Sequence, residues 1–340
     1  MAGRDVVVIG ASSGGVEALR ELARGLPADL PAAVFVVVHI PEAAPSALPR
    51  ILDRAGPLRA AHTRDGHPIE PGRILVAPPD HHLLLEEGRV RVTRGPKENR
   101  HRPAVDPLFR TAALAYGPRV VGVILTGARD DGTAGLIAVK RRGGIAVVQD
   151  PDDSLFAGMP EHALEYVDVD YCVPLGKMAH LLDRLCREGA EQVGERGVDK
   201  GVSDEMKFES KIAGLDPEVI ESSQHPGELV GFTCPECAGP LYEIKDGELV
   251  RFRCRVGHAF TAEGALDGKS ETLESALYSA LNILEESAQM ADNLAARSRQ
   301  HGHEHATSRF EGRAENARRQ ASTIRAVLVQ ETPAPSDAAG

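Results

Sequence analysis

Tryptophan is absent and aromatic residues make up only 4% of the 340-residue chain, which argues against platforms for stacking nucleic-acid bases. An excess of positive charge is missing too. The formal net charge is -11, so a sequence-independent grip on DNA or RNA phosphates is not expected. No apolar run approaches the roughly 20 residues needed to cross a bilayer. Arg4 and Asp5 lead directly into an apolar stretch, which is no signal peptide. Cysteine is scarce: five residues, an odd number with one tight pair, suit a reducing compartment and a metal site better than a disulfide framework. These absences predict a cytoplasmic protein that neither enters a membrane nor binds nucleic acid.

What is present is an ordinary soluble composition, 42% hydrophobic and 26% charged, on a chain long enough for more than one domain. Short runs rich in β-branched residues occur at Val6–Ile9, Val34–Val38, Ile74–Ala77, Val120–Leu125 and Ile145–Val148, the pattern of strands covered on both faces. Helical periodicity follows glycine-bearing turns at Val16–Leu26 and Gly135–Arg141. His82–Leu85 and Arg89–Val92 flank Glu86-Glu87-Gly88 and read as a hairpin. The expectation for residues 1–188 is an α/β domain with a doubly wound, mainly parallel sheet. Residues 189–228 are polar and read as a linker, 229–265 as a cysteine-bearing module, and 266–330 as a helical hairpin or coiled coil. The Pro- and Ala-rich residues 331–340 read as a disordered tail.

The turn Gly10-Ala11-Ser12-Ser13-Gly14-Gly15 joins the first strand to the first helix. Small residues there permit a tight turn and nothing more, or cradle a cofactor's phosphates, or raise a serine above the sheet. The phosphate loop of a short-chain dehydrogenase, an NAD(P) enzyme, wants glycine where Val16 stands. Such enzymes also need Tyr-x-x-x-Lys, and none of Tyr116, Tyr166, Tyr171, Tyr242 or Tyr278 has lysine four residues on. The strand that should end in a ribose-binding acid ends in His39. By contrast Gly10-Ala11-Ser12-Ser13-Gly14 fits Gly-x-Ser-x-Gly, and ligands of open α/β sheets sit beyond the carboxyl ends of the strands. That edge collects Ser12, His39 and the pair Asp130-Asp131: a hydroxyl, an imidazole and a carboxylate, the set that activates a serine nucleophile.

These motifs, together with "VVVHIPE", "PGRILVAPPDHHLLL", "HRPAVDPLFRTAA", "VVGVILTGARDDGTAG" and "FAGMPEHA", resemble the catalytic domain of the CheB-type chemotaxis protein-glutamate methylesterases over roughly residues 4–185. The resemblance implies Ser12 as nucleophile, His39 as base and Asp131, rather than Asp130, as the acid that orients it. It further implies an oxyanion hole from the backbone N–H groups of Ser13 and Ala128. The implied activity is hydrolysis of glutamate γ-methyl esters on the cytoplasmic helices of methyl-accepting chemoreceptors, with glutamine deamidation as related chemistry and no catalytic cofactor. Ala128 stands where the family commonly has methionine, Arg129-Asp130 where it has Gly-Asn, and Ala104 where it has serine. Family members often carry an N-terminal phospho-receiver, and this sequence opens on the catalytic strand. A scaffold that binds receptors without catalysis is the alternative of another class.

Cys234-x2-Cys237 and Cys254-x3-His258, sixteen residues apart around a hairpin-like "LYEIKDGELVRF", have the spacing of a zinc ribbon. Four protein ligands predict a structural rather than catalytic zinc. Cys172 and Cys186 are expected to be packing residues. "HGHEH" reads as a solvated turn between helices, and His81-His82 as structural or near the site. Beyond the ribbon, Leu273, Leu277, Ala280, Leu284, Ala291 and Leu294 predict one heptad seam, and Phe310, Ala314, Ala317, Ala321, Ile324 and Leu328 a second. Seams of this kind suggest docking to another helix, of a second copy or of a receptor bundle.

Overall fold

Valine-rich runs form the centre of a parallel sheet in the computed structural model, which describes residues 3–40, 46–188, 203–222, 225 and 227–330. The chain divides into two compact units, Met1–Ala265 and Leu266–Gly340. The first begins β1 (Val6–Ala11), α1 (Gly15–Gly25), β2 (Ala33–Val38), α2 (Leu48–Ala55), β3 (Arg59–His62), β4 (Arg73–Val76) and the hairpin β5 (His82–Glu86) and β6 (Arg89–Thr93). It continues α3 (Val105–Tyr116), β7 (Val120–Ile124), α4 (Thr133–Arg141), β8 (Ile145–Gln149), α5 (Gly158–Tyr166), β9 (Tyr171–Val173) and α6 (Leu175–Arg187).

Seven strands pair in the order β3-β4-β2-β1-β7-β8-β9, each neighbouring pair parallel. Alternate residues serve opposite faces: Val6, Val8, Phe35 and Val37 pack with α3 and α4, while Val7, Ile9, Val34 and Val36 pack with α1, α2 and α6. Burial on both faces is why these strands read as unbroken apolar runs. From β1 the chain steps to β2, passes to the edge strand β3, returns to β4 between β2 and β3, and later adds β7 on the other side of β1. The carboxyl ends of β1 and β7 therefore flank a topological switch point, the place where open α/β sheets bind ligands.

The stretch expected to be a linker is partly folded. Within 203–222 lie α7 (Asp204–Ala213), capped by the Ser203 hydroxyl, and the short α8 (Pro217–Ile220). Met206, Ile212, Ala213 and even Glu209 are buried. Glu209 looks solvated in sequence, but its carboxylate takes Arg251 at 2.8 and 2.9 Å and Arg253 at 2.7 Å. Residues 189–202 and the tail 331–340 lie outside the described residues.

A second, antiparallel sheet follows: β10 (Glu228–Thr233), β11 (Pro240–Asp246), β12 (Leu249–Cys254) and β13 (Ala259–Thr261). It belongs to the first unit. The next helix, α9 (Ala262–Gln300), begins directly on β13, and α10 (Glu304–Gln330) follows an exposed turn at His301–His303. The α10 seam is the expected one, with Ala314, Ala317 and Ala321 buried. On α9 Ala291 is buried and Leu277, Ala280 and Leu284 are half-buried, as expected of the seam, and Ala288 and Ala295 are buried beside them; Leu273 and Leu294 are exposed, a correction to the expected seam. The buried apolar side chains of both helices are alanines, small residues that suit helix packing, and Leu294 lies off that buried line. Three ion pairs cross the hairpin: Arg299–Glu311, Arg318–Asp292 and Arg325–Glu285. Among the described residues no helix is long and apolar enough to cross a membrane.

Candidate active site

Ser12 leaves β1 at the switch point, and its backbone N–H donates to Thr126 O at 3.0 Å, tying it to the end of β7. Approach this close requires glycine next door: a Cβ on Gly127 would stand 2.9 Å from Ser12 Cβ and 2.2 Å from Met159 Sδ. Gly14, at φ 75°, takes the left-handed turn that starts α1. His39 follows β2, and its N–H reaches Ala11 O at 3.3 Å. The ring nitrogen Nδ1 lies 3.0 Å from Ser12 Oγ, and Nε2 lies 2.7 Å from Asp131 Oδ2.

Asp131 sits in the turn after β7 and is buried. Its Oδ2 also accepts Val105 N–H at 2.7 Å, and its Oδ1 accepts Asn99 Nδ2 at 2.9 Å and Asp106 N–H at 3.3 Å. Val105 and Asp106 open α3, so the carboxylate satisfies orphan donors at a helix N-terminus. Burial opposes ionisation, but the His39 bond and charge, aided by Val105 N–H, outweigh it and hold the group down at about 2. An ionised Asp131 can only accept, so His39 carries its proton on Nε2 and turns the Nδ1 lone pair toward Ser12. The ring is thus used the opposite way round from the familiar serine-protease relay.

The adjacent Asp130, which the sequence offers as an equal, faces elsewhere: its carboxylate meets the Thr261 hydroxyl. Burial raises its pKa. Ser13 and Ala128, expected to supply oxyanion donors, are both exposed on turns beside Ser12, and among the described residues neither backbone N–H has a hydrogen-bond acceptor.

Three residues that sequence reasoning passed over complete the corner. The His101 ring stacks on His39 with centroids 3.6 Å apart and planes 10° off parallel. Burial, with the neighbouring His39, pushes its pKa down to about 3, so it stays neutral beside the base. Asn99 bridges Asp131 to Asp106, donating to the latter at 2.8 Å. Burial and the Asp131 charge push Asp106 up to about 8. The signal was the "ENRHRPAVD" run, in which His, Asn and Asp crowd one loop before a helix. His82 is buried and structural: its Nε2–H donates to Pro96 O at 2.8 Å and its Nδ1 accepts Ala104 N–H at 3.3 Å, bracketing that loop.

Cys234, Cys237, Cys254 and His258 converge with all four donor atoms within 4.8 Å. Cys237 Sγ–Cys254 Sγ is 3.7 Å, and His258 Nδ1 lies 3.8 and 3.6 Å from the sulfurs of Cys234 and Cys254. A tetrahedron with Zn–S of about 2.3 Å and Zn–N of about 2.0–2.1 Å has edges of about 3.8 and 3.6 Å, so the cluster fits such an ion. Cys186 is buried as expected, but Cys172 is exposed on the edge strand β9, where one face lacks a neighbour.

A parallel α/β sheet with hydroxyl, imidazole and carboxylate in line at its switch point is the constitution of a serine hydrolase. The chain matches the family model described as CheB methylesterase over residues 7–182. It belongs to the CheB methylesterase family. A Leptospira interrogans relative is 38% identical over 189 residues, which is 55% of this chain and 98% of that protein. Protein-glutamate methylesterase/protein-glutamine glutaminase 5 of Anaeromyxobacter dehalogenans is 45% identical over 54% of this chain, which spans about half (51%) of that protein's length. The crystal structure of the Thermotoga maritima CheB methylesterase catalytic domain superposes over its full length (100%) and 54% of this chain, at 35% identity and a TM-score of 0.52.

Proposed function

We propose that this chain is a serine esterase that removes methyl groups from glutamate γ-methyl esters on the cytoplasmic helices of chemoreceptors. The observation that carries the reading is the unbroken relay from Ser12 Oγ through His39 to Asp131, at 3.0 and 2.7 Å. Ser12 attacks the ester carbonyl as His39 Nδ1 takes its proton. Asp131 stabilises the imidazolium and fixes its tautomer, while Ser13 and Ala128 N–H groups receive the oxyanion. His39 then protonates departing methanol, and water, activated by the same ring, releases the glutamate. Ammonia leaving in place of methanol gives glutamine deamidation by the same route, in keeping with the double name of the Anaeromyxobacter relative. Action on receptor helices would place the enzyme in the cytoplasm.

Zinc at Cys234, Cys237, Cys254 and His258 would serve structure, since all four positions are protein donors. Leu273, Ile283 and Met290, left exposed on α9, support docking of a further helix, of the receptor or of a second copy; light scattering with and without receptor separates the two. The test of the activity is methanol release from methylated receptor. Wild-type enzyme releases it and Ser12→Ala does not; retention of release by Ser12→Ala would end the proposed mechanism.

A further inference from the structure

The cysteine-bearing sheet does more than pack near the catalytic corner; the loop that carries the corner pairs with the edge of its last strand. Ala259 in β13 uses both backbone groups on that loop: its carbonyl accepts Asn99 N–H at 2.8 Å and its N–H donates to Lys97 O at 3.2 Å. Glu98 thus pairs with Ala259 as a parallel bridge, one more strand on the small sheet. Immediately beyond, Glu98 and His101 close a two-residue turn through mutual backbone bonds of 3.3 and 2.9 Å. Both central residues of that turn are left-handed, Asn99 at φ 48° and Arg100 at φ 69°. Side-chain-bearing residues rarely adopt this conformation, and two in succession persist where the surroundings hold them.

The same turn aims Asn99 Nδ2 at Asp131 and Asp106 and lays His101 flat on His39. Two further ties run from the small sheet to this corner. Buried Arg253 in β12 reaches Glu98 at 3.0 Å, while Arg110 of α3 takes the same carboxylate at 2.7 Å. Thr261 at the end of β13 binds Asp130, the residue adjoining Asp131.

Resting on the serine-hydrolase reading, we infer that the cysteine ribbon is a positioning element for catalysis: through Ala259 it sets the 97–101 turn, and Asn99, a positioning residue, thereby fixes Asp131 and His39 against Ser12. The acyl-enzyme rate is then under control of the ribbon's folding and its metal, although among the described residues no ribbon side chain hydrogen-bonds Ser12, His39 or Asp131. The proposal concerns the rate of Ser12 attack and not affinity, because what moves is the relay behind the nucleophile.

The experiment uses the full chain and a fluorophosphonate probe of Ser12. Ala259→Pro deletes the N–H that binds Lys97, and chelation of wild type removes the metal. For each, the maximal acylation rate and the probe's half-saturating concentration are measured, with hydrogen exchange at 97–106 and in β1 and β7. The expected result is at least a tenfold loss of acylation rate at unchanged half-saturation in both arms. Exchange should quicken at least tenfold at 97–106, with β1 and β7 still protected. Acylation within twofold of wild type in either arm, despite faster exchange at 97–106, overturns the inference while leaving the esterase reading intact. Protection lost equally across β1 and β7 also overturns it, because the ribbon would then support the whole fold and not this turn. A wild-type chain that takes no label at all overturns the esterase reading and this inference with it.

Discussion

The parallel sheet and the small antiparallel sheet of the first unit are stabilised by different means. The former has a continuous apolar core on each face, with Phe35, Leu75, Leu108, Ile124 and Leu125 nearly inaccessible. Among the described residues the latter gathers a small buried cluster of Cys234, Leu241, Cys254 and Phe260, with Val230, Phe252 and Ala265 partly buried against it. So few side chains cannot offset the ordering entropy of four strands, and such modules need a metal or a neighbour. This one has donors for the first and a buried charge cluster against the second: Arg251 and Arg253 face Glu209, and Arg253 with Arg110 faces Glu98. The difference teaches where function can be coupled. A region that folds only by leaning on another makes its own state felt there, and this one leans on the catalytic corner.

The largest effect is expected where the two regions meet. Asp131→Asn keeps the shape but presents an amide where Nε2–H needs an acceptor, inverting the His39 tautomer. Turnover per folded chain should fall by about 10⁴-fold, the scale known for this change in serine-protease relays. Activity within tenfold of wild type would make His39 independent of its carboxylate.

Next is a matched pair of truncations. Phe35→Ala opens a cavity in the core of the parallel sheet and should cost about 3–5 kcal/mol in urea denaturation. Phe260→Ala removes the fully buried aromatic ring from the small core. It should release the bound metal and quicken exchange in β10–β13 while the midpoint for the parallel sheet moves little. Equal shifts of one common transition would show that the two sheets fold as a single cooperative block.

A subtler contrast is between Asp131 and Asp106, neighbours joined by Asn99. Asp106 sits at about 8 when folded against an ordinary 3.8, so the folded chain holds the extra proton. Its stabilisation is full below about pH 4 and is lost as pH rises toward 8. Asp131, at about 2, behaves oppositely: its stabilisation is present above about pH 4 and is lost as pH falls toward 2. Asp106→Asn should therefore flatten the decline in urea midpoint between pH 5 and 8 relative to wild type. Identical slopes would mean that Asp106 is ionised throughout.

The inner strands were legible because burial on both faces writes itself as runs such as Val34–Val38. The edge strands Arg59–His62 and Tyr171–Val173 were not, since one open flank removes the need for branched apolar residues. Ser12, His39 and Asp131 could be found by asking what stands at the carboxyl ends of three strands. Asn99 and His101 stand in a conspicuous polar run, but their aim could not be read, because they act from a left-handed turn whose conformation depends on Ala259, 160 residues further on. The folded α7 was hidden for a similar reason: Glu209 reads as solvent-facing until Arg251 and Arg253, contributed by β12, are beside it. Long-range charge pairing leaves no local periodicity to read.

The smallest effect tests the C-terminal hairpin, whose ion pairs are conspicuous and exposed. Arg318 is 59% exposed and Asp292 35%, so their attraction is screened by water, and Arg318→Ala should cost no more than about 0.5 kcal/mol. Ala317 is 7% exposed in the α10 seam. Ala317→Leu forces added bulk into a buried position sized for a methyl group and should cost about 1–3 kcal/mol. Thermal unfolding of the full chain, followed by exchange in α9 and α10, ranks the two. If Arg318→Ala proved the more damaging, the hairpin would be held by charge along its rim and the alanine seam would be a consequence of that pairing instead of its cause.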